Sequence, residues 1–534
     1  MKRAAHGFDC RIHRREFVGG ALAALVVAPV AWGSARSMTI ETRLGAVIGS
    51  AEDGCAVFKG IRYGQDTRHR RFRQGLPVQP WLQARECFHY GAASPQTHPQ
   101  EPVSEDCLFL NVWTPAVAGA SSRRPVLVYL HGGEYSHGSG SSPLYDGSIL
   151  AREQDVVVVT LNHRLSVFGH LALGTWAHDD RRFAGNAGLW DIVLALQWVR
   201  AHIGSFGGDA SCVTLFGQSG GGAKIACLMA MPAAQGLFHR AVTMSGQQIT
   251  LSGPQAAQRR AEVFMSALGL RAGQWERLDG LSAEQLLKAS EASDPTIERS
   301  SLYFGPVLDG VSLDRHPFFP DAAPLGRAIP MVIGGTRDEV RIFFESEWDQ
   351  IRAYTWEDLS SRLPAELRVD CDAAEVVAFY RRLRPKATPE EVFYAAVTDS
   401  RSWRGGVIEA EARAMAGVPA YVYQVNFESP LKQGRLGACH TIDIPLMFGS
   451  TGVSGALTGN SEAAQRLSAQ TRNFLVRFAR TGDPNGTGLP KWAPYDLKSR
   501  GTLLLANNPE IESDPRGAQR RFFARFPFIQ KGTI

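Results

Sequence analysis

A serine hydroxyl becomes a useful nucleophile when a neighbouring base takes its proton and backbone donors await the oxyanion. The segment LFGQSGGGAK, residues 215–224, offers such a serine, but the same ten residues allow a second reading. Gly217, Gly222 and Lys224 nearly spell a phosphate-cradling loop, whereas Gly217, Ser219 and Gly221 spell G-x-S-x-G, a turn that lifts Ser219 above a sheet. A phosphate loop needs its lysine directly after the second glycine and then a hydroxyl to hold magnesium. Here Gly222 is followed by Ala223, Lys224 and Ile225, so the lysine comes one place late and the hydroxyl is missing.

The serine reading requires a short buried strand, a sharp turn and a helix. Cys212–Phe216 is apolar enough for that strand, and Ala223, Ile225, Ala226 and Met229 continue at helical spacing. A second predicted strand, Pro125–Leu130, runs straight into His131-Gly132-Gly133-Glu134, a glycine loop of the kind that supplies oxyanion donors. The base and its acid are less legible. His440 is one of 14 histidines and precedes an apolar segment, where a structural histidine is the ordinary reading; Glu339 reads as a surface carboxylate with Asp338 beside it.

Further segments follow one another in a recognisable order. FKGIRYG (58–64), SEDCLFLNVWTP (104–115), HGGEYSHGSG (131–140), GNAGLWD (185–191) and FGGDASCVTLFGQSGG (206–221) are followed by FGPVLDG (304–310), GGTRDE (334–339), GACHTIDIPLMFG (437–449) and FARTGDPN (478–485). From about residue 41 to beyond residue 500 the chain resembles the type-B carboxylesterases, the carboxylesterase and cholinesterase-like family, as a bacterial para-nitrobenzyl-esterase-like member. The resemblance implies an α/β-hydrolase fold, a mostly parallel sheet flanked by helices, with insertions such as 246–330 and 341–420 shaping the pocket. It implies Ser219 as nucleophile, Glu339 as the triad acid, His440 as general base, and oxyanion donors at the backbone amides of Gly133, Glu134 and Gly220. Asp338 is the runner-up acid, and Asp443 is expected to support the histidine. The implied reaction is ester hydrolysis through an acyl-enzyme, with no metal and no cofactor. Rival readings are an acyl hydrolase of amides, lactones or thioesters, and an inactive adhesion or binding protein; every catalytic residue type is nonetheless present.

Three departures from the family pattern stand out. Glu134 occupies a place usually held by glycine or alanine; a carboxylate about 6 Å from a developing oxyanion would cost about 3 kcal/mol at an effective dielectric near 20, so its side chain must turn away or be paired. Val340 and Thr441 replace glycines that often follow the acid and the histidine. Ser94 stands where many relatives carry the cysteine that pairs with Cys107, leaving Cys87 as a substitute partner. Gln218 is neutral where cholinesterase-like relatives have glutamate, and the stretch from Cys87 to Cys107 has no tryptophan to hold a quaternary ammonium, so a choline ester is a poor candidate.

The whole chain, 534 residues with 44% hydrophobic and 20% charged residues, has the composition of an ordinary folded protein. Its formal charge is +5, of which residues 1–35 carry +3, so the remainder is nearly balanced and nucleic acid is not an expected partner. The densest basic run, RHRRFR (68–73), reads as a solvated loop. HRREFVGG places a twin arginine before an uncharged stretch, 17–35, and Gly33-Ser34-Ala35 offers small residues for cleavage. Residues 1–35 are therefore expected to be a twin-arginine-type signal peptide that sends the protein to the periplasm or outside the cell. No stable membrane insertion is expected after cleavage, and residues 36–534 are expected to form a single catalytic domain. Eight cysteines, Cys10 among them in the leader, form no C-x-x-C pair, which argues against a zinc site. The expected partner is a small-molecule ester.

Overall fold

The computed structural model describes residues 36–116, 122–174, 176–177, 179–298, 300–486 and 488–533; the expected leader, with its twin arginines and Cys10, lies outside them. Short runs of valine, isoleucine and leucine become strands because branched side chains pack well on a pleated surface covered on both faces. In chain order the strands are β1 (Arg36–Thr42), β2 (Gly45–Glu52), β3 (Cys55–Arg62), β4 (Arg85–Glu86), β5 (Phe109–Pro115), β6 (Arg124–Leu130) and β7 (Val157–Leu161). There follow β8 (Gly208–Gln218), β9 (Arg240–Met244), β10 (Met331–Thr336), β11 (Ala420–Val425), β12 (Gly501–Leu505) and β13 (Glu510–Ser513).

These strands make one sheet in the order β1-β2-β3-β5-β7-β6-β8-β9-β10-β11-β12-β13, with β4 beside β2. The centre, from β7 through β6 and β8 to β12, is parallel, and antiparallel pairs close both ends. Alternation along each strand divides the interior. Val128 and Leu215 pack into the apolar cluster on one face, Tyr129 and Phe216 into that on the other. Helices Ala187–His202, Gly220–Ala230 and Glu462–Thr481 supply buried residues to these clusters. The fold is thus the mostly parallel, helix-flanked sheet of an α/β hydrolase.

Arg36–Ile534 forms one compact unit. Between β9 and β10 lie helices Pro254–Ala267 and Ala283–Ser290; between β10 and β11 lie Ala373–Leu383, Pro389–Thr398 and Arg404–Met415. The second insertion has its own apolar core, with Val340, Tyr380 and Phe393 packed against Leu436 and Phe523.

Two local readings change. The run 68–73 is no solvated loop: Phe72 is buried, Arg71 pairs with Glu105 and donates to the carbonyls of Leu278 and Leu281, and Arg70 and Arg73 pair with Asp180. Arg70, Arg71 and Arg73 stitch this segment to 105, 179–180 and 278–281, while Arg68 stays exposed beside Asp66. Cys87 and Cys107 are both free and buried, so the substitute disulfide is absent. Among the described residues no helix is long and apolar enough to cross a membrane.

Candidate active site

In an open parallel sheet, loops that leave the carboxyl ends of neighbouring strands converge on one crevice. Here β6 delivers the loop from His131, β8 delivers Ser219, β9 delivers Ser245 and Gly246, and β10 leads to Glu339. The register Leu130↔Gly217 and Gln218↔Met244 sets these ends level with one another.

Ser219 joins β8 to helix Gly220–Ala230 with φ +56° and ψ −126°, a strained conformation for a residue with a side chain. The surrounding glycines are there because backbone occupies the space. A Cβ on Gly221 would lie 1.9 Å from the Leu130 carbonyl oxygen, one on Gly220 2.1 Å from that of Glu134, and one on Gly246 2.0 Å from that of Ser219 itself. The Ser219 N–H donates to the Met244 carbonyl at 2.7 Å, which locks the turn to β9. Lys224 is turned into the fold. It is buried in the helix, donates to the His131 carbonyl at 3.0 Å, and is pushed by burial down to about 7.

Glu339 and His440 meet from loops 101 residues apart: His440 Nδ1 donates to Glu339 Oε2 at 2.5 Å. The other oxygen, Oε1, accepts the Thr336 N–H at 2.9 Å. Burial pushes the Glu339 carboxyl up, but the charge and hydrogen bond of His440 and the Thr336 donor outweigh it, leaving the group below its usual value. Asp338 points elsewhere; its Oδ2 accepts from the Arg337 side chain and from the Ala438 N–H at 2.9 Å, and so fixes the loop before His440. Asp443 accepts from the Tyr423 hydroxyl at 3.0 Å and has no hydrogen bond to His440; burial, with the Glu339 charge, pushes it up to about 6. The two replaced glycines differ. Val340 sits at an ordinary φ of −90°, whereas Thr441 is forced to φ +73°.

Gln218 adds a contact that sequence reasoning missed. With the proton of a neutral His440 on Nδ1, Nε2 is an acceptor, and the Gln218 amide donates to it at 3.1 Å. A serine hydroxyl must displace this donor before it can pass its proton to Nε2.

In the loop after β6, Gly133 takes φ +84°, where a Cβ would meet the His137 carbonyl at 2.2 Å. Glu134 takes φ +51°. Gly220 begins its helix, and the first N–H groups of a helix have no partner within it. Against the close approach of Gly220 to Glu134, the Glu134 carboxylate turns to Lys531, whose Nζ donates at 3.1 and 3.3 Å. Burial pushes this carboxyl up, but Lys531 and then Arg401 outweigh it and hold it below its usual value. Lys531 lies 397 residues away, and nothing in the sequence marks it.

Ser219, Gly220, Glu134 and His440 line one cavity of about 710 Å³, including its open mouth. Its walls come from the insertions, through Tyr303, Phe343 and Arg401, and from the C-terminal segment through Phe528 and Lys531. The described residues hold no cluster of histidine, cysteine and carboxylate side chains able to bind a metal.

The comparisons agree with this geometry. The carboxylesterase family model matches residues 36–523. Para-nitrobenzyl esterase of Bacillus subtilis is 35% identical over 90% of this chain and 97% of its own length, and phenmedipham hydrolase of Pseudarthrobacter oxydans is 32% identical over 88% and 94%. The crystal structure of a Geobacillus stearothermophilus carboxylesterase superposes with a TM-score of 0.82 at 34% identity, covering 91% of this chain and 99% of that one. With a sheet, a serine turn and a full-length match that all agree, the chain belongs to the carboxylesterase family.

Proposed function

We propose that this enzyme hydrolyses carboxylic esters through an acyl-enzyme, with Ser219 as nucleophile, His440 as general base and Glu339 as the acid that orients it. The observation that carries this reading is the Glu339–His440 hydrogen bond placed in the same cavity as a serine on a strained turn. The Ser219 oxygen attacks the ester carbonyl as His440 Nε2 takes its proton; the carbonyl oxygen becomes an oxyanion held by the N–H groups of Gly133, Glu134 and Gly220. Collapse expels the alcohol, which leaves with the proton from His440. Water then repeats the cycle on the acyl-serine and releases the acid. Glu339 stays ionised throughout and stabilises the imidazolium. Pairing with Lys531 neutralises the Glu134 carboxylate, so that its backbone can serve the oxyanion while its side chain does not oppose it.

Ser219→Ala is expected to lower ester turnover at least about a thousandfold with the fold retained. A fluorophosphonate should label wild type at Ser219 and leave the variant unmodified; labelling at another serine would refute the assignment.

The leader is read as an export signal of the twin-arginine type. Support comes from HRREF before an uncharged stretch and from a family match that begins at residue 36. Cell fractionation of the full chain against one with both arginines of the pair, Arg14 and Arg15, changed to lysine tests it: activity should move from the exported to the cytoplasmic fraction.

A further inference from the structure

The charges that line the catalytic cavity are unequal. Arg368, Arg401 and Lys531 face it against one carboxylate, Glu134, which Lys531 already neutralises. Arg368 and Arg401 have no carboxylate partner among the described residues. Buried arginines elsewhere are held either by carboxylates, as in Arg164–Asp191 and Arg516–Asp399, or by backbone carbonyls, as Arg413 is by those of Gly326 and Ile329. Arg368 and Arg401 are both half-buried.

Their placement ties them to the reacting groups. The Arg401 guanidinium carbon lies 5.0 Å from the Phe343 ring centre, and that ring is 4.9 Å from the His440 imidazole. Arg368 is anchored through its carbonyl, which accepts the Ile529 N–H at 2.9 Å, to the C-terminal segment that forms another wall. The two cations also oppose each other: burial and then the Arg401 charge push the Arg368 guanidinium down. An anion in the cavity would relieve that repulsion and replace lost water contacts with charge-assisted hydrogen bonds, for which the flat guanidinium fork suits a carboxylate.

We propose that the ester this enzyme is built to cleave carries a second, free carboxylate, bound by Arg368 and Arg401 while its ester carbonyl lies at Ser219. The proposal rests on the esterase reading above and specifies its substrate as a half-ester or acid-bearing ester. Hydrolysis then consumes water and releases an alcohol and an acid, one of which carries the extra carboxylate.

The test compares kcat/KM within matched pairs, each corrected for its hydroxide-catalysed rate. The acyl-side pair is 4-nitrophenyl hydrogen suberate and 4-nitrophenyl octanoate. The alcohol-side pair is 4-acetoxyphenylacetate and 4-ethylphenyl acetate. Wild type is expected to favour the anionic member of at least one pair by about tenfold or more, mainly through KM, with a ratio that falls as salt is raised. Arg368→Gln and Arg401→Gln should each lower that ratio at least about threefold, and the double variant should bring it to about one or below, while the lysine variants retain more of it. Because each ratio is taken within one preparation, partial misfolding cancels. A wild-type ratio at or below one in both pairs, or a preference that survives in the double variant, would overturn the proposal. If no ester of either pair is cleaved and a fluorophosphonate does not label Ser219, it is the esterase reading that fails.

Discussion

The turn that carries Ser219 and the loops that carry Glu339 and His440 each fix a side chain above the sheet, with opposite materials. At the serine the constraint is steric and local: within a few residues of Ser219, glycines allow β6, β8 and β9 backbones to touch, and there is no room for a methyl group. At the histidine the constraint is polar and non-local. His440 is held by Glu339 from 101 residues away, Asp338 holds the loop at Ala438, and the arrangement includes a buried carboxylate at Asp443 and a strained backbone at Thr441. Packing of backbone on backbone tolerates no added atom, whereas a hydrogen-bonded arm tolerates isosteric change structurally and fails chemically.

Gly221→Ala should strike the steric turn hardest. Its Cβ would sit 1.9 Å from a carbonyl of β6. Turnover should drop by more than about a thousandfold together with lowered Tm, because the turn itself has to open. Ser219→Ala should match it in turnover and differ in leaving Tm near wild type. If Gly221→Ala keeps both activity and Tm, the turn is not the rigid element described.

The polar arm should fail differently. Glu339→Gln is expected to reduce kcat by about a hundredfold or more, since an amide cannot stabilise the imidazolium, with Tm little changed. Asp338→Asn should cost less than about tenfold, because it keeps an acceptor for the Ala438 N–H and does not touch His440. Steady-state kinetics on one neutral ester decide it, and the reverse ranking would transfer the acid's role to Asp338.

This contrast explains how far the sequence could be read. The serine turn and the HGG loop are local patterns whose geometry is written in adjacent glycines, so residues 215–224 and 131–134 were interpretable from stereochemistry alone. His440 and Glu339 came from resemblance, because a contact across 101 residues leaves no local signature. Lys531 against Glu134, and Arg368 beside Arg401, went unseen for the same reason. The sequence did predict that the Glu134 carboxylate must be turned away or paired; it could not name the partner. The basic run 68–73 looks solvated in the sequence because the carboxylates that take up its charge, Glu105 and Asp180, are distant in the chain.

Asp443 makes the polar arm sensitive to pH. Its folded value of about 6 lies above the ordinary 3.8. The folded state therefore holds the proton more tightly, and stability is lost as pH rises from about 4 through about 6 and stays lost above. Two units correspond to about 3 kcal/mol at neutral pH. Asp443→Asn, which keeps an acceptor for Tyr423, should raise Tm by about 3 °C at pH 7.5, and the gain should shrink steadily toward pH 5. A gain independent of pH would refute the charged, buried carboxylate as its source.

The smallest effect concerns Thr441, next to the histidine. At φ +73° a β-branched residue pays about 1–2 kcal/mol, a cost that glycine escapes, while glycine's extra freedom in the unfolded chain returns about 0.5–1 kcal/mol of that. Thr441→Gly should therefore raise Tm by no more than about 1 °C and leave kcat close to wild type. Val340→Gly is the control, since Val340 has an ordinary φ and a fully buried side chain, so the same glycine should lower Tm. If both glycines lower Tm alike, Thr441 carries no strain, and the polar arm is as relaxed as the rest of the fold. If Thr441→Gly is neutral or stabilising but kcat falls with it, the threonine is what holds the imidazole in line, and strain at that position serves the chemistry.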